Sequence, residues 1–375
     1  MRTCDALVVG GGPAGSSAAF RLRAAGLDVV VVDAAPFPRD KPCAGWITPE
    51  VVEALGLDVD DYRRGRTWQP ITGFRTGRIG GAAVETRYGR AVSFAIRRCE
   101  FDLYLLERSA ATLRLGTPAR RLERRGGAWV VDDAVRAPVL VGAGGHFCPV
   151  ARLLNGTPAP AAVVAAQEAE FPLVGREGDR FAPDVPALYF CPDLQGYGWC
   201  VRKEGYLNVG FGRRDPHRLG AHVRGFLDHL RRTGKLPGGL PARWRGHAYR
   251  LYERGGGRVV DDGVVLVGDA AGLAYPASGE GILPAIESGL LAADAIVRAG
   301  GRYGRDRLDG YRIALEARRG ARGVRRVLPP ALAAWLAGPL LGSRWFARHV
   351  LLDRYFLHLH EAGPEATRPG ISPAA

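Results

Sequence analysis

Lysine is almost missing from this chain: of its 52 basic residues only Lys41, Lys203 and Lys235 are lysines, and the arginines are scattered along all 375 positions. A formal charge of +14 would suit nucleic acid. No nucleic-acid motif accompanies it, so that class of partner is set aside. What remains is a basic surface that attracts anionic small molecules and anionic lipid head groups. Cysteine is sparse and unpaired in sequence: Cys4, Cys43, Cys99, Cys148, Cys191 and Cys200 form no C-x-x-C and no metal-type spacing, which excludes a zinc site or a dithiol redox pair. The opening "MRTCDALVVGGG" runs straight into a strand and leaves no room for a signal peptide, so a cytoplasmic location is expected. Long apolar runs are missing too. The longest uncharged stretch, Val327 to Ser343, holds three prolines and is too short and broken for a membrane span. Packed C-terminal helices are expected there, with peripheral membrane contact as the alternative.

Hydrophobic content of 47% and charged content of 24% are ordinary for a globular protein. Only the final "PEATRPGISPAA" reads as disordered. "DALVVG" is a short valine-rich run ended by glycine, the pattern of a buried parallel strand. "PAGSSAAFRLRAAG" predicts a helix from a starting proline to Gly26, and "DVVVVD" a second buried strand. "FDLYLLERSA" predicts a helix, and "GAWVVDDAVRAPVLVGAGG" strand, turn and strand. From about 160 to 255 the pattern changes to short alternating strands ("AAVVAAQEAEF", "ALYFCP", "YGWCVRK", "YLNVGFG", "RGHAYRLY"), which predict an inserted antiparallel sheet. "GVVLVGDAAG" then returns to a buried strand, followed by a long helix with Leu283, Ile286, Leu290 and Val297 on one face.

Two glycine-rich turns carry the chemistry. Gly10, Gly12 and Gly15 form G-x-G-x-x-G between strand and helix: one glycine for the tight turn, one for close approach of a pyrophosphate, one for helix–strand packing. The helix start offers free N–H groups and a positive dipole end. Asp33, 18 residues after Gly15, supplies an acceptor for ribose hydroxyls. The second turn, "GDAAGLAYPASGEGI", places Gly279 and Gly281 at a helix start, with Pro284 in its first turn where a missing N–H costs little. Such an end suits a group that becomes anionic, as a reduced flavin does.

With the N-terminal glycines, Asp33, "RRCEFD" and "GDAAGLAYPASGEGI" in place, the chain resembles FAD-dependent oxidoreductases of the hydroxylase-like fold, most of all the geranylgeranyl reductase group. The resemblance implies an α/β architecture: a discontinuous Rossmann-type FAD-binding domain (1–70, 96–155 and 256–305), an inserted antiparallel β-sheet substrate domain (156–255, with strands from 71–95), and a C-terminal helical segment (306–375). It implies that Gly10, Gly12, Pro13, Ala14, Gly15 and Asp33 hold the ADP part of FAD. Arg98 would contact FAD, and the backbone of a strand near Ala119 would touch the adenine. Gly268 and Asp269 would meet the ribityl chain, and Pro276, Gly279, Gly281 and Ile282 would lie by the isoalloxazine. "LQGYGWCVRKEGYLNVGFG" resembles the reductases' Tyr-x-Trp substrate motif through Tyr197, Trp199 and Lys203. "KPCAGWITPE" resembles their flavin-facing Lys-Pro-Cys-Gly-Gly-Gly loop through Lys41, Pro42, Cys43 and Gly45, while Ala44 and Trp46 replace glycines. One departure stands in "VGAGGHFCPVAR", where Gly144 and Cys148 replace the superfamily's usual Asp and Ser.

Alternatives stay open at several positions. Cys43, beside Lys41, reads as a general acid for a carbanion or as a small hydrophobe against the ring. Trp46, Tyr197 and Trp199 read as substrate-channel walls or as core aromatics, the motif favouring the channel for the last two. Cys148 and the remaining four cysteines read as core, and His146 as structural. The expected activity is reduction of C=C bonds in a small hydrophobic, isoprenoid-like or polyketide-like substrate. With no second G-x-G-x-x-G, electrons would come from NAD(P)H bound transiently, from another reduced carrier, or from an electron-donor protein. The rivals are an FAD monooxygenase and a non-catalytic FAD-binding redox relay. A flavin halogenase fits less well, since Trp-x-Trp-x-x-Ile-Pro is missing.

Overall fold

A computed structural model describes residues 1–156, 163–174, 180–236, 244–253, 257–320 and 340–359. Its centre is a six-stranded sheet in the order Val260–Asp261, Val264–Leu266, Val139–Gly142, Ala6–Val9, Val29–Val32, Thr112–Arg114. All neighbours run parallel except the first pair. Ala6–Val9 and Val29–Val32 are buried at every residue, because the sheet is covered on both faces. The two-residue side-chain period sends Ala6, Val8, Val29 and Val31 into one core and Leu7, Val9, Val30 and Val32 into the other. Each such valine or leucine contributes roughly 1.5–3 kcal/mol by leaving water.

The first core is roofed by the helices Pro13–Ala24, Ile282–Ala299 and Arg305–Gly320, which supply Ala18, Leu22, Ile296, Leu308 and Tyr311. The second lies under a four-stranded layer, Arg2–Thr3, Val135–Ala137, Ala128–Val131, Leu122–Arg125. Helices Pro13–Ala24 and Ile282–Ala299 approach until a Cβ at Gly289 would stand 2.2 Å from the Ala14 carbonyl oxygen. Small residues at the crossing are therefore required, and they bring the two glycine-rich turns side by side.

A seven-stranded sheet runs Arg245–Arg250, Val163–Pro172, Tyr206–Arg213, Gly196–Lys203, Ala187–Phe190, Gly73–Arg78, Ala83–Arg87. It is not wholly antiparallel as expected, since Ala187–Phe190 pairs in parallel with Gly73–Arg78, a strand from far upstream. One face packs Tyr189, Cys200, Val209 and Phe211 against the helix Leu219–Arg232. The opposite face carries Tyr197, Trp199, Asn208, Ala166 and Glu168 toward the nucleotide-type domain. A short sheet, Trp46–Ile47, Ser93–Ala95, Gln69–Ile71, lies near that junction. The C-terminal stretch Ala347–Phe356 is a π-helix whose Leu351, Leu352 and Phe356 join the core there. It is tied down by the Tyr88 hydroxyl, which donates to Asp353 Oδ1 at 2.6 Å.

Further differences from expectation have local causes. Val297 is 39% exposed, because the buried stripe of Ile282–Ala299 runs through Leu283, Ile286, Ala293 and Ile296. Ala119 sits in the loop between Thr112–Arg114 and Leu122–Arg125, not in a strand. All six cysteines are free, and Cys99 is only half-buried. Residues 327–339 and the final "PEATRPGISPAA" lie outside the described residues.

Candidate functional site

A cleft of about 610 Å3 runs from the first glycine turn to the seven-stranded sheet. At one end the turn after Ala6–Val9 is shaped by its glycines. Gly10 has φ +116°, and a Cβ there would overlap the Ala143 carbonyl. At Gly15 a Cβ would lie 1.8 Å from the Gly10 oxygen, so the helix seats directly on the turn. Gly12 is different: its open side meets only the Arg39 guanidinium, at 3.2 Å. Its backbone is left facing the cleft at a helix N-terminus, where an anion is favoured. Asp33 Oδ2 accepts from Gly11 N at 2.7 Å and Oδ1 from Ala35 N at 2.8 Å, which fixes the carboxylate at the rim of the cleft.

In the middle, Asp269 stands on the short turn Gly268–Ala271. Lys41 Nζ is 3.7 Å and His247 Nε2 3.9 Å from its Oδ2. Burial alone would raise its carboxyl, but the nearby His247 imidazole and the Lys41 and Arg98 charges outweigh that and hold it below the usual carboxylate range. Burial also lowers Lys41 and His247 from their ordinary values, Asp269 opposing the change in each. Arg98 is locked as a fork on Asp102, both contacts at 2.8 Å, and Arg39 reaches the same carboxylate at 3.3 Å. The loop from Tyr275 folds back on itself, Tyr275 N donating to the Glu280 carbonyl and Gly279 N to the Tyr275 carbonyl. Gly279 has φ +75°, and the Tyr249 hydroxyl would lie 2.6 Å from a Cβ there.

The far end is aromatic. Tyr197 stands 5.9 Å from Trp199 and 5.7 Å from Phe356, and Trp46 is 6.0 Å from both Phe356 and Phe74. Trp199 lies across Gly210, where a Cβ would sit 2.2 Å from its ring. Its Nε1 donates to Asn208 Oδ1 at 2.7 Å, and Asn208 Nδ2 reaches the Cys43 carbonyl at 3.3 Å. The Tyr197 hydroxyl donates to the Ser278 carbonyl at 2.7 Å. Burial raises the Tyr197 hydroxyl far above its ordinary value. The loop "KPCAGW" spans the cleft between these walls. Gly45 takes φ +64° because the Lys203 ammonium and the Ile96 carbonyl occupy the space of a Cβ. Lys203 is fully buried on Glu170 Oε2 at 2.5 Å, and Arg97 holds the other oxygen at 2.9 Å.

Of the residues singled out in the sequence, Gly10, Gly12, Pro13, Ala14, Asp33, Lys41, Cys43, Ala44, Trp46, Arg98, Ala119, Tyr197, Trp199, Asp269, Gly279, Gly281 and Ile282 line this one cleft. Gly15 and Gly268 are buried behind it, shaping the turns. Pro276 is exposed, its carbonyl turned to the Arg214 guanidinium instead. Lys203 supports the Cys43 loop from beneath. Arg39, His146, Glu168, His247, Tyr249 and Phe356 also line the cleft, and sequence reading did not place them there. No local motif marks them. The only signal was strand alternation, which puts Glu168 on the same face as Trp199 and His247 on that of Tyr197. Cys148 is buried against Gly144, so neither replaces the charge of the superfamily's aspartate. Among the described residues no cluster of metal-ligating side chains occurs.

The chain matches the family described as FAD binding domain over residues 3–103. It is 31% identical to the menaquinone reductase of Mycolicibacterium smegmatis, the match covering 79% of this chain and 77% of that protein. It is also 31% identical to the geranylgeranyl diphosphate reductase of Rhodobacter capsulatus, over 78% and 74%. Among solved structures, a geranylgeranyl bacteriochlorophyll reductase-like protein of Thermoplasma acidophilum superposes with a TM-score of 0.73 at 23% identity, covering 91% of this chain and 88% of that one. A flavin-dependent brominase does so with 0.72 at 17% identity, covering 95% and 93%. The glycine cradle at a helix start, the fixed Asp33 and the elongated cleft fit FAD, and with these relatives they make the chain a member of the geranylgeranyl reductase family of FAD-dependent oxidoreductases.

Proposed function

We propose that this enzyme reduces carbon–carbon double bonds of a hydrophobic, isoprenoid-like or polyketide-like substrate. The observation that carries the reading is the cleft's polarity: charged and glycine-rich at one end, walled by Tyr197, Trp199, Trp46 and Phe356 at the other. The relatives' names, menaquinone reductase and geranylgeranyl diphosphate reductase, agree with such a substrate. Gly10, Gly12, Pro13 and Ala14 would hold the FAD pyrophosphate and Asp33 the adenosine ribose, with Ala119 beside the adenine. Asp269, kept ionised by its cationic neighbours, would accept from the ribityl hydroxyls. Lys41, Cys43, Ala44, Gly279, Gly281 and Ile282 would border the flavin ring. Bound and reduced, FAD supplies the hydride. The aromatic walls exclude water and lay the alkene flat.

Electrons would arrive from NAD(P)H bound transiently or from another reduced carrier, a donor protein included. A lipid surface would meet the C-terminal region, where Trp345 is 66% exposed between Arg344 and Arg348. The test is anaerobic: photoreduce the holoenzyme and mix it with menaquinone, geranylgeranyl diphosphate and shorter prenyl alkenes. Reoxidation of the flavin with formation of the saturated product is expected. Reoxidation only by oxygen, coupled to a hydroxylated product, would mark a monooxygenase. No reoxidation by any alkene would sink the reading.

A further inference from the structure

Glu168 has no part in the assignments above, yet among the described residues it is the one carboxyl of the seven-stranded sheet that lines the cleft. It lies on Val163–Pro172 opposite Gly210, which is in turn opposite Trp199. Because Gly210 has no side chain, the Trp199 indole lies over the residue that separates the two. Glu168 is 6% exposed and lines the cleft, and its Oε2 finds no hydrogen-bond partner among the described residues. Such an atom is costly for a carboxylate and cheap for a carboxylic acid.

The neighbours keep it that way. The cation within reach, Lys203, is bound by Glu170, which Arg97 and Asn208 also hold. Arg245, opposite Glu168 on the other flanking strand, is turned to Asp40 at 2.8 Å. The Cys43 backbone N–H and the Asn208 amide face Glu168 and oppose the effect of burial, as does Lys203, but burial wins and pushes the carboxyl up to about 7. Two neighbouring hydroxyls give protons less readily: that of Tyr197 is engaged with Ser278, and burial pushes Tyr249 well above its ordinary value. Glu280, another carboxyl that lines the cleft, sits on the loop before Ile282–Ala299, 3.6 Å from His358 Nε2. The Cys43 sulfur accepts from Gly45 N at 3.4 Å.

We propose that Glu168 is the proton donor of the reduction. The assignment rests on the double-bond reading. As hydride adds to one alkene carbon the π bond breaks, and its electron pair is left on the other carbon. The Glu168 O–H bond breaks and that carbon takes the proton. Hydride and proton together saturate the bond, and the carboxylate, steadied by Lys203, Asn208 and the Cys43 N–H, is reprotonated from water.

The test uses the FAD-loaded enzyme with Glu168→Gln, which is isosteric and neutral like the acid. Flavin content and photoreduction should be unchanged, while anaerobic reoxidation by the best alkene of the menaquinone and prenyl panel slows at least about 100-fold. The fall in wild-type rate above about pH 7 should vanish with it, and formate should restore rate to Glu168→Ala. Independently of turnover, infrared difference spectra between pH 6 and pH 8 should show a protonated-carboxyl band that Glu168→Gln lacks. A Glu168→Gln rate within threefold of wild type with the pH limb intact, or loss of that limb in Cys43→Ala instead, would overturn the assignment and leave the double-bond reading standing. Wild-type enzyme that no alkene reoxidises would remove both.

Discussion

Asp269 shows how one carboxylate can be kept charged where burial argues against it. The nearby His247 imidazole and the Lys41 and Arg98 charges outweigh desolvation, so Asp269→Asn removes an ionised acceptor and leaves Lys41 facing a neutral amide. A hydrogen bond to a charged group is worth roughly 1.5–3 kcal/mol. Fluorescence titration of the apoprotein should therefore show FAD affinity about 10- to 100-fold weaker. Trp46 bears on substrate size instead. Its ring fills the corner between Phe74 and Phe356, at a position where the loop it resembles has glycine. Trp46→Gly should raise the rate for long prenyl chains relative to short ones by about tenfold, the scale at which one pocket contact discriminates. An unchanged ratio would mean that the chain leaves the cleft elsewhere.

Ala347–Phe356 is the element whose attachment decides how the aromatic end is closed, since Phe356 touches both Trp46 and Tyr197. The Tyr88–Asp353 hydrogen bond joins it to the seven-stranded sheet. Tyr88→Phe should cost about 1–2 kcal/mol at that contact. Amide exchange across residues 347–357 should quicken about tenfold while the Ala6–Val9 strand is unaffected. Equal acceleration everywhere would show that the contact supports the fold as a whole. At the same scale, strands and helices of the parallel sheet were legible in sequence, because short valine runs ended by glycine have few other uses. The π-helix was not, since its position depends on a hydrogen bond to a residue 265 positions away.

Across the whole molecule, Glu168 links stability to pH. A carboxyl raised from 4.5 to about 7 binds its proton more tightly folded than unfolded. The folded state then holds the extra proton between those values, and stability falls as pH rises through that window. The full effect is at most about 3 kcal/mol. Thermal melts of the holoenzyme should lose stability between pH 5 and pH 8, and Glu168→Gln should flatten that slope. A slope identical in both proteins would show that other groups carry it. The facing of the seven-stranded sheet onto the cleft sets this up, for there Glu168 is 6% exposed.

Sequence alone determined the two glycine turns, Asp33, the Cys43 loop and the Tyr-x-Trp strand, because each is a contiguous stretch whose backbone demands or spacing admit few alternatives. It also determined that Trp46 departs from glycine. Tertiary structure decided what no stretch contains: that Gly289 brings the two turns together, that Phe356 closes the aromatic end, and that Glu168 and His247 enter the cleft. A carboxyl's protonation depends on which strands flank it and which cations its neighbours have already taken. Those are distances across the fold, set by packing rather than by any local pattern of residues.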